Sequence, residues 1–220
     1  MQADNDGELE ETNRSCYYSN IGKGKQTRTQ IIEHAISLAR TVGLEGVSLG
    51  ALADRTGLSK SGLFAHFKSK EALQVDVVEA ATEFFIAAVT RPALWHPRGE
   101  ARLRALFKYY LHWISSGAPS GCIFMSLGYE FDDRPGPVRD RLLQSQRDWF
   151  ETLKIVARHA SEAGYLRPDV DFDQFAFEFM GISTAYEYAL KLLHHPEAEV
   201  IANRAFDGLL QRSIQYASEA

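Results

Sequence analysis

The sequence predicts an all-α protein: a small three-helix unit built around a helix-turn-helix, then a larger helical body, about nine helices in all. Three observations carry that reading. Apolar residues recur at steps of three and four along most of the chain. Glycine and proline clusters punctuate those stretches. Residues 48–70 place two capping serines around a glycine turn, the layout of a helix-turn-helix.

In chain order, residues 1–22 are rich in Asp, Glu, Asn and Ser with little periodicity, and read as a mobile acidic tail. Lys23, Lys25 and Arg28 are expected to form a basic arm ahead of the first helix. Ile31, Ala35, Leu38 and Val42 form one stripe of a helix over residues 27–42, which Gly43 ends. Ser48 caps a second helix running to Thr56, since its hydroxyl can accept an amide of the first turn. Gly57 follows where a left-handed residue is wanted, and Leu58 plugs the turn. Ser59 caps a third helix with Leu63 and Phe67 inward and Lys60, Ser61 and Gly62 outward. Ser69 caps a long helix to Thr90, with Leu73, Val77, Ala80, Phe84 and Ala88 as its buried stripe. That helix belongs to both units and is a natural carrier of a signal between them.

Residues 91–99 hold Pro92, Pro97 and Gly99 and read as a loop. Helices follow over 100–116, 122–129, 138–163, 171–193 and 197–216, and the second of these is apolar enough to need burial. The last two carry more apolar surface than one body can bury, which predicts a twofold dimer through a four-helix seam. The organisation is therefore a tail with its arm at 1–24, a head at 25–85 and a ligand-binding and dimerisation body at 86–220.

Net charge is −5, but residues 23–70 hold eight Lys or Arg against three Asp or Glu, so the head is cationic and the remainder strongly acidic. Phosphate attraction is local and screened within about 8 Å, so a basic head serves a nucleic-acid binder even on an acidic chain. Cys16 and Cys122 give no disulfide framework and no apolar run reaches membrane length, so a cytoplasmic protein without a membrane partner is expected. A cationic, small-residue helix start suits the major groove, where Lys60, Ser61 and Gly62 would meet base edges.

The string Ser48-x-x-x-Leu52-Ala53-x-x-x-Gly57-Leu58-Ser59-Lys60-x-Gly62-Leu63-Phe64-x-His66-Phe67-x-Ser69-Lys70-x-x-Leu73 resembles the DNA-binding domain of TetR-family transcriptional regulators over roughly residues 27–85. The rest of the chain resembles the family only in helical layout. The resemblance implies that His66 and Lys70 bind the DNA backbone and that the last two helices dimerise; Ser48 is expected to hold a phosphate with them, and Ser59 and Phe64 complete the expected DNA-binding set. The family usually carries a tyrosine at Phe64; phenylalanine keeps the packing and loses a phosphate hydrogen bond.

In the body, Phe107, Trp113, Phe124, Tyr129, Trp149 and Tyr186 are expected to line a cavity for a small apolar or aromatic effector. Catalytic chemistry is not expected. The histidines are scattered, His194 and His195 are adjacent, and Gly22-Lys23-Gly24-Lys25 lacks the spacing of a phosphate-binding loop. No catalytic residue, metal or cofactor is assigned. The resulting expectation is a homodimeric repressor released from a palindromic double-stranded operator by an effector. The alternatives are an activator, an effector-independent DNA binder, or a small-molecule enzyme on this fold.

Overall fold

Side-chain caps start the head's last three helices, and each lies where local chemistry places it. In the computed structural model Ser48 Oγ accepts the Ala51 N–H at 3.1 Å and opens α2 (Leu49–Thr56). Ser59 Oγ accepts from Gly62 at 3.1 Å and opens α3 (Lys60–His66). Ser69 Oγ accepts from Ala72 at 3.0 Å and opens α4 (Lys70–Phe85). A cap of this kind contributes about 1 kcal/mol. Gly57 ends α2 at φ +69°, and its N–H returns to the Ala53 carbonyl. A side chain there would be strained by the backbone alone.

The structure describes residues 23–117 and 120–214, without the side chains of residues 23–26 and Phe64. The acidic tail assigned to residues 1–22, with Cys16, lies outside the described residues. The expected basic arm is corrected: residues 23–28 begin α1 (Lys23–Val42) rather than precede it. Arg28 is not a free arm cation, because it pairs with Asp76 of α4 and lies over the Phe67 ring at 5.3 Å. These contacts pin α1 across the end of α3. Ile31, Ala35, Leu52, Leu63, Phe67 and Leu73 are all buried between the four helices.

The second correction concerns α4. The chain does not loop at Arg91 but continues through a π turn (Ile86–Thr90) into a short α turn (Arg91–Leu94). The Arg91 N–H reaches back five residues to the Ile86 carbonyl. This widened turn restarts the hydrogen-bond register just before Pro92, which has no N–H to give and is tolerated in a first turn. The buried face also differs from the expected stripe. Leu73, Val77, Val78, Ala81, Phe85 and Val89 are buried, whereas Ala80 and Phe84 are half-buried and Ala88 is exposed.

Five further helices complete the body: α5 (Glu100–Ser115), α6 (Ile123–Phe131), α7 (Pro137–Glu162), α8 (Phe172–Lys191) and α9 (Ala198–Ser213). That makes nine helices among the described residues, with one isolated bridge, Leu166 to Ile214, and no strand. α8 packs against α5, α7 and α9, and α4 packs against both α1 and α7. Asp171 caps α8 by accepting from the Asp173 and Gln174 amides. On α9 the buried face is Ala198, Ala202, Phe206, Leu209 and Leu210, which leaves Val200, Ile201 and Ala205 outside. None of the described helices is long and apolar enough to cross a membrane.

Candidate nucleic-acid interface

The head gathers its predicted residues around the start of α2. Ser48, Ser59, Lys60, Ser61 and Lys70 are exposed, and Gly62 and His66 are half-buried. Lys60 lies back over Gly50: a Cβ built on Gly50 would stand 3.8 Å from Lys60 Nζ and 3.7 Å from Ser48 Oγ. Lys70 reaches the α1–α2 turn that leads into this helix, 2.7 Å from the Glu45 carbonyl oxygen and 3.1 Å from Glu45 Oε2. One ammonium thus lies near a helix N-terminus whose free amides favour an anion, and a second lies at the turn before it. Ser61 Oγ shares a hydrogen bond with Ser59 Oγ at 3.0 Å. Gly62 adds no side chain to the face beside them. The His66 ring tilts against Phe67 at 6.3 Å. Phe64 as a candidate contact lies outside the described side chains.

Two polar links that the sequence reading did not find tie this head to the body. Both carboxylate oxygens of Glu130, near the end of α6, accept backbone amides of the α1–α2 turn: Leu44 at 2.8 Å and Glu45 at 2.7 Å. The second link reaches α5: Arg40 of α1 lies over the Trp113 ring at 5.3 Å. Arg40 Nε and Trp113 Nε1 are both buried without a hydrogen-bond partner. Glu187 of α8 accepts the Cys122 N–H at 3.2 Å and lies 3.9 Å from Lys191 Nζ. α6 is thus held to the head through Glu130, and α5 through Trp113.

Glu187 is buried, and burial pushes its carboxyl above the ordinary glutamate range despite the Cys122 amide, Lys191 and Arg40. A raised folded-state value gives stability that is present below the ordinary range and lost as pH rises through the folded value. Glu187→Gln keeps an oxygen for the Cys122 amide. It is expected to melt above the wild type at neutral pH and to lose that advantage as pH falls toward about 4. Thermal melts over a pH series check this; an advantage that grows toward acid is the contrary result.

The body's aromatics do converge, but around a residue absent from the expected set. Phe85 meets Tyr110, Trp113, Phe124 and Trp149 edge-on, at centroid distances from 4.8 to 5.7 Å. Beside this cluster is a crevice of about 20 Å³, lined in part by Thr82, Phe85, Phe124 and Trp149. That is room for about one water. Of the six expected lining residues, Phe124 and Trp149 reach it. Phe107 is instead stacked on Phe206 at 4.1 Å in the packed core. Trp113 packs against Phe85 without lining the crevice, Tyr186 is buried elsewhere, and Tyr129 faces outward at 78 % exposure. The interior around Phe85 is a packed aromatic cluster, with room at this crevice for about one water. Among the described residues no group of three His, Cys, Asp or Glu is placed to hold a metal.

A capped three-helix head with a cationic recognition helix, set on an all-α body, defines a helix-turn-helix DNA-binding transcriptional regulator. Comparison with known proteins gives the particular family. Residues 31–77 match the model "Bacterial regulatory proteins, tetR family", and residues 99–206 match "Tetracyclin repressor-like, C-terminal domain". The chain belongs to the TetR family of transcriptional regulators.

It is similar to the HTH-type transcriptional regulator TcmR of Streptomyces glaucescens, with 27 % identity over 78 % of this chain and 84 % of that one. It is also similar to the HTH-type transcriptional repressor KstR2 of Mycobacterium tuberculosis, with 23 % identity over 69 % of this chain and 75 % of that one. A TetR regulator from Chloroflexus aurantiacus shares the fold at a TM-score of 0.78 and 22 % identity, covering 89 % of this chain and 99 % of that one. AibR, solved with isovaleryl coenzyme A and operator DNA, shares it at 0.65 and 22 %, covering 85 % and 97 %.

Proposed function

We propose that this regulator is a homodimeric repressor that grips a palindromic operator with two heads and is released by a small apolar or aromatic effector. The observation that carries the DNA side is the exposed pair of Lys60, beside the start of α2, and Lys70, at the turn leading into it. Lys60, Ser61 and Gly62 read base edges; Ser48, His66 and Lys70 hold phosphates. On the effector side, AibR supports the reading, since one chain of this fold was solved with both a coenzyme A thioester and operator DNA. An effector of that size enters the crevice beside Phe85 by opening the rings around it, because the crevice holds about one water. α5 and α6 then move, and the head moves with them, through Arg40 over Trp113 of α5 and through Glu130 of α6.

The closed interior also favours a second reading, an effector-independent regulator or an activator. Selection of bound fragments from random duplexes gives the operator, and a reporter carrying that operator separates repression from activation. Lys70→Ala is expected to weaken all duplexes alike and to flatten the salt slope by about one. A loss confined to one base pair contradicts the phosphate role.

A further inference from the structure

Lys70 is not free in the absence of DNA. Its ammonium lies 3.1 Å from Glu45 Oε2 and 2.7 Å from the Glu45 carbonyl oxygen. Gln74, buried in α4, holds the same residue from the other side. Its amide donates to Glu45 Oε1 at 3.0 Å and to the Leu44 carbonyl at 3.2 Å. The turn that carries Glu45 is itself fixed by the body, through the two amides that Glu130 accepts. Gly43 makes that approach possible: it sits at φ +75°, and a Cβ there would come 3.0 Å from Glu130 Oε1. The result is one continuous polar path. It runs from α6 through the backbone of residues 44 and 45, then through the Glu45 carboxylate, to a lysine at the start of α4.

We propose that Glu45 competes with DNA phosphate for Lys70, and that Glu130 holds Glu45 in position to do so. Glu45 and Glu130 are thus positioning residues for DNA binding, one in the head and one in the body. The inference rests on the reading of Lys70 as a phosphate contact. The physics is simple. A phosphate must displace a carboxylate that already occupies the ammonium, and it must approach past that carboxylate's charge. Gln74 and then Lys70 hold the Glu45 carboxyl below the usual glutamate range, so it is charged at neutral pH. The pair is half-exposed, which keeps the competition weak enough for DNA to win. α6 also carries Phe124 at the aromatic crevice, so a shift of α6 acts on this grip without passing along α4.

The test is fluorescence anisotropy of the full-length protein with a labelled mixed-sequence duplex at low salt, since a phosphate contact needs no operator. Glu45→Gln is expected to tighten binding about three- to fivefold in the wild-type background and not at all in the Lys70→Ala background. Glu130→Ala is expected to tighten binding in the same direction and to add nothing to Glu45→Gln. Melting curves confirm that each variant is folded; Glu45→Ala and Glu130→Gln serve where the first choice is not.

An equal gain in the Lys70→Ala background reduces the effect to lost negative charge and overturns the competition. No gain overturns it too. Additive gains remove Glu130 from the path. If Lys70→Ala itself leaves affinity unchanged, the phosphate role fails, and the proposed DNA contact fails with it.

Discussion

Phe179→Ala is expected to lower the stability of the folded chain by about 3–5 kcal/mol. Phe179 is fully buried in α8. Its ring meets Phe107 edge-on at 5.3 Å and Phe206 at 5.7 Å, and stacks on Tyr110 at 6.0 Å. Trp149 closes the group at 6.1 Å. Truncation removes the ring's transfer free energy and leaves a void bounded by other rings. Those rings cannot all turn inward, because Phe107 and Phe206 are already stacked on each other and Trp149 Nε1 donates to Met180 Sδ at 3.1 Å. The cost therefore falls at the upper end for a core aromatic. Against a total stability of about 5–15 kcal/mol, that is a large share.

The internal control lies two residues away on the same helix. Phe177 is 68 % exposed, and Phe177→Ala is expected to change a single subunit's stability by no more than about 0.5 kcal/mol. Urea unfolding of both variants, compared at low protein concentration, is the measurement. A loss below about 1 kcal/mol for Phe179→Ala would mean that the ring cluster is not packed as described. The same stack accounts for Phe107: placed against Phe206, it is a core residue, and its removal acts on folding before it acts on any ligand.

What the sequence made legible follows the range of the interactions. The three serine caps and the Gly57 turn depend on atoms within three or four residues, and each appears at its expected place. The buried stripes of α5 and α7 are equally local, and Leu103, Phe107, Leu142 and Trp149 are all inside.

The α4 stripe was harder because its apolar residues come in adjacent pairs. Ala80-Ala81 and Phe84-Phe85 fit two registers, and only packing between α1, α5 and α7 selects Ala81 and Phe85. Tyr129 was placed inward because its neighbours are apolar, yet the phenol end of α6 faces solvent. Glu130 and Glu45 carried no local signal. Their partners are a backbone amide 85 or more residues away and a lysine on another helix. The head was readable because its chemistry is local; its connection to the body was not.

Charge placed in the middle of the exposed face of α8 is expected to have the largest effect on DNA binding. Phe177, Gly181, Ala185, Tyr188 and Leu192 follow one another at steps of three and four along that helix, and all are exposed. They form one apolar stripe with small residues at its centre. Beside it, α9 leaves Val200, Ile201 and Ala205 outside, so the two helices present a joint apolar surface. Nothing in the subunit uses Gly181: a Cβ there would meet no atom within 4 Å. A small residue in the middle of an exposed stripe is instead what a second helix needs to approach closely. In the proposed homodimer, the same surface on a second copy, related by a twofold axis, would make a self-complementary four-helix seam.

Ala185→Asp puts an unpaired charge into that seam in each copy, next to its twofold mate. The expected product is a folded monomer by sedimentation, with helical content retained because the site is outside the subunit core. Its affinity for an operator fragment is expected to fall by about a hundredfold or more, since two linked heads reinforce each other and a single head does not. Binding to short mixed-sequence duplexes, which need one head, is expected to change far less. A variant that remains dimeric, or a monomer that keeps full operator affinity, contradicts the seam. The pairing of results matters because a damaged head loses both kinds of binding, whereas a broken seam loses one.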